Sequence, residues 1–121
     1  MTLPQPDVHN WDEIEKERLG PLIERRIVTG EKLMIAHVYM KKGNVVPRHS
    51  HENEQMTYIV DGRLEMTIGD AEPVVVGAGE VICIPGGVPH SALALEDLLD
   101  VDVFCPPRQD WLDGTDDYLR G

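Results

Sequence analysis

Positive charge is scarce in this chain. Only 11 Lys and Arg stand against 22 Asp and Glu in 121 residues, a net charge of −11. That deficit argues against nucleic acid or an anionic membrane as a partner, since both are polyanions. Much of the acid lies near the two ends, Asp12, Glu13, Glu15 and Glu17 at one, Asp110, Asp113, Asp116 and Asp117 at the other. A solvated face accounts for those runs. Cysteine is scarce too, with only Cys83 and Cys105 present. A secreted chain of this size would often use more, so two reduced thiols in a cytoplasmic protein are expected. No C-x-x-C spacing occurs, so neither a cysteine zinc site nor a thioredoxin-like site is indicated. The opening stretch MTLPQPDVHNWDEIEKERLG contains no apolar signal region. No apolar run is long enough to span a bilayer. Repeats, low-complexity segments and internal linkers are also lacking. One domain over residues 1–121 is expected, long enough to bury about two-thirds of its unfolded surface.

What is present is a series of short apolar runs separated by turn residues. Strands are expected at Leu22–Thr29, Lys32–Met40, Val45–His49, Gln55–Val60, Arg63–Ile68, Pro73–Val76, Val81–Ile84, His90–Leu95 and Leu98–Phe104. Asp61-Gly62, between two apolar runs, signals a hairpin turn. Thr29-Gly30, Gly69-Asp70 and Gly86-Gly87 are further turns. Trp11–Leu19 reads as a short helix, and Trp111–Leu119 as a short closing helix or a loop. Many short strands without a long helical pattern give an all-β sandwich or barrel of antiparallel sheets. Lys32–Met40 is apolar on both faces. The barrel interior would cover one face and a second subunit the other, so a homodimer is expected.

Four residues carry the chemistry. His49, His51 and Gln55 lie in GNVVPRHSHENEQMTYIVDG, residues 43–62, and His90 lies in GEVICIPGGVPH, residues 79–90. On a strand alternate side chains share a face, so His49 and His51 point the same way. Glu54 has the wrong parity to share a face with Gln55. Three imidazoles and an amide oxygen suit one divalent transition metal per chain: zinc, manganese, nickel or iron. They leave positions open for water or substrate, as catalytic sites do. His37 reads as a strand residue with a local hydrogen bond, and His9 as exposed on the N-terminal arm.

The two blocks resemble the paired motifs of the cupin superfamily. The first is Gly, five residues, His-x-His, three residues, Gln, six residues, Gly; the second is Gly, five residues, Pro-x-Gly, two residues, His. The resemblance implies a single cupin jelly-roll β-barrel with its metal in the barrel mouth. Its metal-site core is residues 43–94, with an N-terminal arm at 1–20 and a C-terminal arm at 106–121. Cupins usually carry Glu where this chain has Gln55, and often Asn where it has Ala94. Gln leaves the metal its full double positive charge, one unit more than Glu would. Such a centre is a strong Lewis acid, attracts a carboxylate and is harder to oxidise. Isomerase, lyase or hydrolytic chemistry is favoured over dioxygenase chemistry on that ground.

In LLDVDVFCPPRQDWL, Asp100, Asp102 and Phe104 share one strand face and Leu99, Val101 and Val103 the other. Facing inward, Asp102 can act as a base or hold a ligand histidine; facing outward, it is a surface acid. Arg108 either clamps a substrate carboxylate or pairs with a surface acid. His-x-His-x3-Gln, a later His, and Asp-x-Phe-x3-Arg together look like the small pectin-degradation cupins, which open cyclic 4,5-unsaturated uronates to linear keto sugar acids. That resemblance implies metal binding by His49, His51, Gln55 and His90, catalysis by Asp102 and Arg108, and substrate contacts from Phe104 and Arg108. The partner is then a small anionic substrate. Two other functions remain open. One is a metal-dependent dioxygenase or lyase acting on a small enol, diketone or hydroxynitrile; the other is a small-molecule binding cupin without turnover.

Overall fold

The computed structural model describes residues 6–120. The outermost parts of the two expected arms, residues 1–5 and residue 121, lie outside the described residues. A 3-10 turn at Trp11–Glu13 leads into ten strands and one short helix: β1 (Glu17–Gly20), β2 (Ile23–Thr29), β3 (Met34–Met40), β4 (Val45–His49), β5 (Glu54–Asp61), β6 (Arg63–Ile68), β7 (Val74–Gly77), β8 (Val81–Ile84), β9 (His90–Ala94), β10 (Leu98–Cys105) and α1 (Gln109–Asp113). They form a six-stranded sheet, β1-β2-β3-β10-β5-β8, and a four-stranded sheet, β4-β9-β6-β7. Every pairing is antiparallel. The fold is the all-β, two-sheet cupin barrel.

All nine expected strands are present, their ends shifted by two residues at most. The alternation predicted for them sets the core. Met34, Ala36, Val38 and Met40 of β3, with Ile59 of β5 and Ile84 of β8 in the same sheet, form one core with Leu64 and Met66 of β6 from the other sheet. Three expectations are corrected. The helix over Trp11–Leu19 is only a 3-10 turn, capped at its start by Asn10, which accepts from the Asp12 backbone N–H at 2.9 Å, and it stops after Glu13. Glu17–Gly20 instead adds edge strand β1 to β2, and Leu19 enters the core. The Asp61-Gly62 turn is not a hairpin, because β5 and β6 belong to different sheets. Gly62 turns the corner between them at φ +89°, where a Cβ would fall 2.5 Å from the Asp97 carbonyl oxygen. On the outer face of β3, Ile35 stays 37% exposed and the N-terminal arm covers only part. Trp11 stacks on His37 at 3.7 Å, and Arg26 ties the arm down by donating to the Ile14 carbonyl at 3.0 Å. His37 thus has an aromatic partner where a local hydrogen bond was expected.

The expected closing helix or loop is both, a five-residue helix followed by turns that bring Tyr118 and Leu119 back against the core. Cys83 and Cys105 are free and exposed. Among the described residues, no helix is long and apolar enough to cross a membrane.

Candidate metal centre

The register builds the site from both sheets. On β4 and β9, His49 and His90 are direct cross-strand partners. Gln55 opens the inward face of β5, opposite Phe104 of β10, and Thr57 follows it opposite Asp102. His51 lies past the end of β4, so loop geometry, rather than strand alternation, sets its direction. That loop is pinned by the β8–β9 turn. The Gly87 N–H donates to the His51 carbonyl at 2.7 Å, and Gly86 passes so close that a Cβ would lie 2.2 Å from the Glu52 carbonyl oxygen. The glycines of the second motif therefore seat a ligand of the first.

The three histidines offer ligand atoms within 4.8 Å of one another. Each Nδ1 lies against a backbone carbonyl two residues away: His49 on Pro47 at 2.8 Å, His51 on Asn53 at 3.0 Å, His90 on Val88 at 2.8 Å. These contacts place the ring proton on Nδ1 and leave each Nε2 lone pair free. Burial, the first cause, lowers His49 and His51 to about 4 and lowers His90 as well. Neutral imidazoles are what a metal requires.

Two observations test the fit of a cation. His90 Nε2 is buried and has no hydrogen-bond partner, a costly state for a lone acceptor. His51 Nε2 lies 3.1 Å from Gln55 Oε1. With the His51 proton on Nδ1, both atoms are acceptors and cannot bond to each other. The Gln55 amide is oriented by its other end, where Nε2 donates to Thr57 Oγ1 at 2.9 Å and Thr57 donates to Asp102 Oδ1 at 2.7 Å. Four lone pairs therefore converge with no proton between them, and a divalent ion fits that set.

Asp102 faces inward and is 6% exposed. Burial raises its pKa, against the opposing pull of Thr57, Asp100 and Arg108. Asp100, one turn of the pleat away, is 2% exposed. Burial and then the Asp102 charge raise it well above the usual carboxylate range. The pair thus holds protons more readily than free carboxylates do. Arg108 is 2% exposed and lines one cavity with His49, Gln55, His90 and Asp102. It also pairs with an acid, donating through Nε to Asp110 Oδ1 at 2.9 Å and through Nη2 to Asp110 Oδ2 at 2.7 Å. Of the two alternatives open in the sequence, the pairing with an acid is the one observed, and it leaves Arg108 on the cavity wall. Phe104 is buried edge-on to His51 at 5.8 Å and to Trp111 at 4.9 Å.

Four residues around the site escaped the sequence reading of roles. Thr57 was findable, because it shares a strand face with Gln55. Asn53 donates to the Pro106 and Pro107 carbonyls and ties the tail to the histidine loop. Trp111 and Tyr118 come from the C-terminal arm. The Tyr118 ring stacks on His49 at 4.1 Å, and no spacing signalled it.

A family model described as "Cupin domain" matches residues 36–105. Among solved structures, KdgF from Halomonas sp. is 33% identical with a TM-score of 0.77, covering 83% of this chain and 94% of that one. An RmlC-like cupin from Shewanella frigidimarina is 25% identical with a TM-score of 0.81, covering 88% and 96%. Among curated proteins, the acireductone dioxygenase of Yarrowia lipolytica is 29% identical over 90 residues. That match takes in 70% of this chain, which spans about half of the relative's length, 52%.

Proposed function

The chain belongs to the cupin family, and from that premise we propose that it is a metal-dependent, isomerase-like enzyme that opens cyclic 4,5-unsaturated uronates to linear keto sugar acids. The carrying observation is the convergence of three neutral imidazoles and one amide oxygen beside a buried acid pair and a buried arginine. Similarity to KdgF supports the same reading, as does the Asp-x-Phe-x3-Arg tail. A divalent ion held by His49, His51, Gln55 and His90 would supply Lewis acidity toward the sugar oxygens. An isomerisation neither adds nor removes atoms. The chain must therefore hold the acid group and move a proton. Arg108 holds the carboxylate, since its charge is kept by Asp110 and Tyr118 against the cost of burial. Asp102, raised toward neutrality, gives and takes the proton. Phe104 backs His51 and forms the apolar side of the corner.

The test is conversion of unsaturated uronates by purified protein, followed as loss of the ultraviolet absorbance of the C4–C5 double bond, with bound metal measured on the same sample. Metal-loaded protein that leaves that absorbance unchanged overturns the proposal. The acireductone dioxygenase relative favours a second reading, oxygen-dependent cleavage of a small enol; oxygen uptake with the iron- or nickel-loaded protein decides between them. The reading extends to a cytoplasmic homodimer paired through the outer face of the six-stranded sheet, where Met56, Tyr58, Val60 and Val81 are exposed. Light scattering that gives a monomer mass overturns that part.

A further inference from the structure

The chain beyond β10 returns across the histidine end of the barrel and is fastened there at three points. At its base, Asn53 holds the Pro106 and Pro107 carbonyls. In the middle, Trp111 packs on Phe104 and lies under the Arg25 and Arg108 guanidinium groups at 4.4 and 5.1 Å. At its end, Asp116 is 1% exposed and pairs with the wholly buried Arg25 at 2.5 Å. Arg120 bonds Asp116 at 2.9 Å and Glu17 at 3.1 Å, and Arg25 bonds Glu17 at 2.8 Å. Four alternating charges thus latch the tail to β1 and β2, at the far edge of the six-stranded sheet.

The latch presents Tyr118. Its ring lies flat on His49, and its oxygen accepts from Arg108 Nη2 at 2.7 Å and from Trp111 Nε1 at 3.1 Å. Two donors occupy that oxygen, so its own O–H remains to be given away. Among the described residues, no acceptor takes that proton, and none takes the Nη1 hydrogens of Arg108. A phenol O–H and a guanidinium edge, side by side and unpaired beside three metal-binding imidazoles, form a seat for a carboxylate. The cavity beneath measures about 40 Å³. One water needs roughly 10–15 Å³, so that space takes a few waters with the tail in place.

We propose that Tyr118 is a specificity-determining residue. Carried on the C-terminal segment and latched by Asp116 to Arg25, it lifts to admit an anionic ligand and closes to donate to its carboxylate beside Arg108. This rests on the metal-centre reading above. A neutral sugar leaves the O–H and the Nη1 edge unpaired when the segment closes, and so is rejected.

The test uses the full chain loaded with Co²⁺, titrated with galacturonate and with galactose and followed by the visible spectrum of the ion. Wild type takes galacturonate in preference to galactose. Tyr118→Phe keeps the ring and the cobalt spectrum, loses about tenfold in galacturonate affinity and leaves galactose unchanged. Asp116→Asn frees the latch, and EDTA strips its cobalt at least tenfold faster. Should that variant fail to fold, Arg120→Ala removes the partly exposed side of the same latch and carries the same expectation. Wild-type galacturonate affinity in Tyr118→Phe, or a wild type that treats the two sugars alike, overturns the assignment. An unchanged stripping rate in the folded latch variant overturns the latch. A wild-type chain that takes up no cobalt overturns the metal-centre reading, and this inference with it.

Discussion

Gln55→Glu separates a metal ligand from a structural amide without any assay of activity. In the metal-free protein the change removes the donor to Thr57 and sets a third carboxyl beside Asp102 and Asp100. Losing one buried hydrogen bond with its partner left unsatisfied costs about 1–3 kcal/mol. The new carboxyl takes up a proton to avoid an unpaired buried charge, and so can still donate to Thr57, which puts the cost near the lower end. With the metal bound the sign reverses. A carboxylate replaces a neutral oxygen next to a doubly charged ion, and a tenfold gain in affinity is worth about 1.4 kcal/mol of folding stability at fixed free metal. The gap between apo and holo unfolding midpoints should therefore widen by about 1.4 kcal/mol. That corresponds to roughly 6 °C for a chain of this size, at about 4 °C per kcal/mol. Thermal unfolding of both proteins with EDTA and with excess Zn²⁺ measures it. Equal destabilisation of Gln55→Glu in the two conditions would place Gln55 outside the metal shell and refute the argument from converging lone pairs.

Three further outcomes are expected. Purified wild-type protein carries close to one divalent metal per chain and the His49→Ala, His51→Ala double variant almost none, by plasma emission; full occupancy in the double variant removes the site assignment. Arg108→Lys raises KM for a uronate with a loss of about 10–150-fold in kcat/KM and unchanged metal content, because an ammonium cannot copy a planar group that Asp110 and Tyr118 fix with its Nη1 free; a KM equal to wild type refutes the clamp. Stability of the apo protein depends on pH through the depressed histidines. The unfolded chain binds their protons near 6.5 and the folded chain only near 4, so stability is complete above about 6.5 and falls as pH drops toward 4. Asp100, raised rather than lowered, acts with the opposite sign but is common to wild type and His51→Ala. Urea unfolding between pH 7 and 5 should thus show a shallower decline in His51→Ala, and parallel curves would contradict the burial-driven shift.

The strands and the candidate ligands were legible for the same reason. Alternation along Arg63–Ile68 or Leu98–Phe104 reports a buried face directly, because each side chain's direction follows from its neighbour's. The His and Gln spacings carry the same information, and on β4, β5 and β9 the strands deliver it. What the spacing could not carry is sheet membership. Asp61-Gly62 fits a hairpin by every local rule, yet Gly62 makes a corner between sheets, because the partners of β5 and β6 are β10 and β9, far along the chain. The edge strand β1 was hidden likewise, since Glu17-Arg18-Leu19-Gly20 has one core residue and no alternation to show.

The C-terminal arm marks the limit of local reading most clearly. Trp111, Asp116 and Tyr118 sit in a stretch that reads as a short closing helix or a loop, and their partners are Phe104, Arg25 and His49. Each pairing crosses a sequence gap that no periodicity spans, except the short step to Phe104. Arg25 had the one available signal. A charged side chain on the inward parity of β2, between Ile23 and Ile27, must find a buried counter-ion or cost the fold several kcal/mol. The acidic runs near the ends were read as solvated faces, and Asp117 is indeed exposed. Asp116 is not, and it is the acid that Arg25 demanded. An inward arginine in a small barrel is thus a request for an acid elsewhere in the chain, and here the answer comes from the segment that closes the metal site.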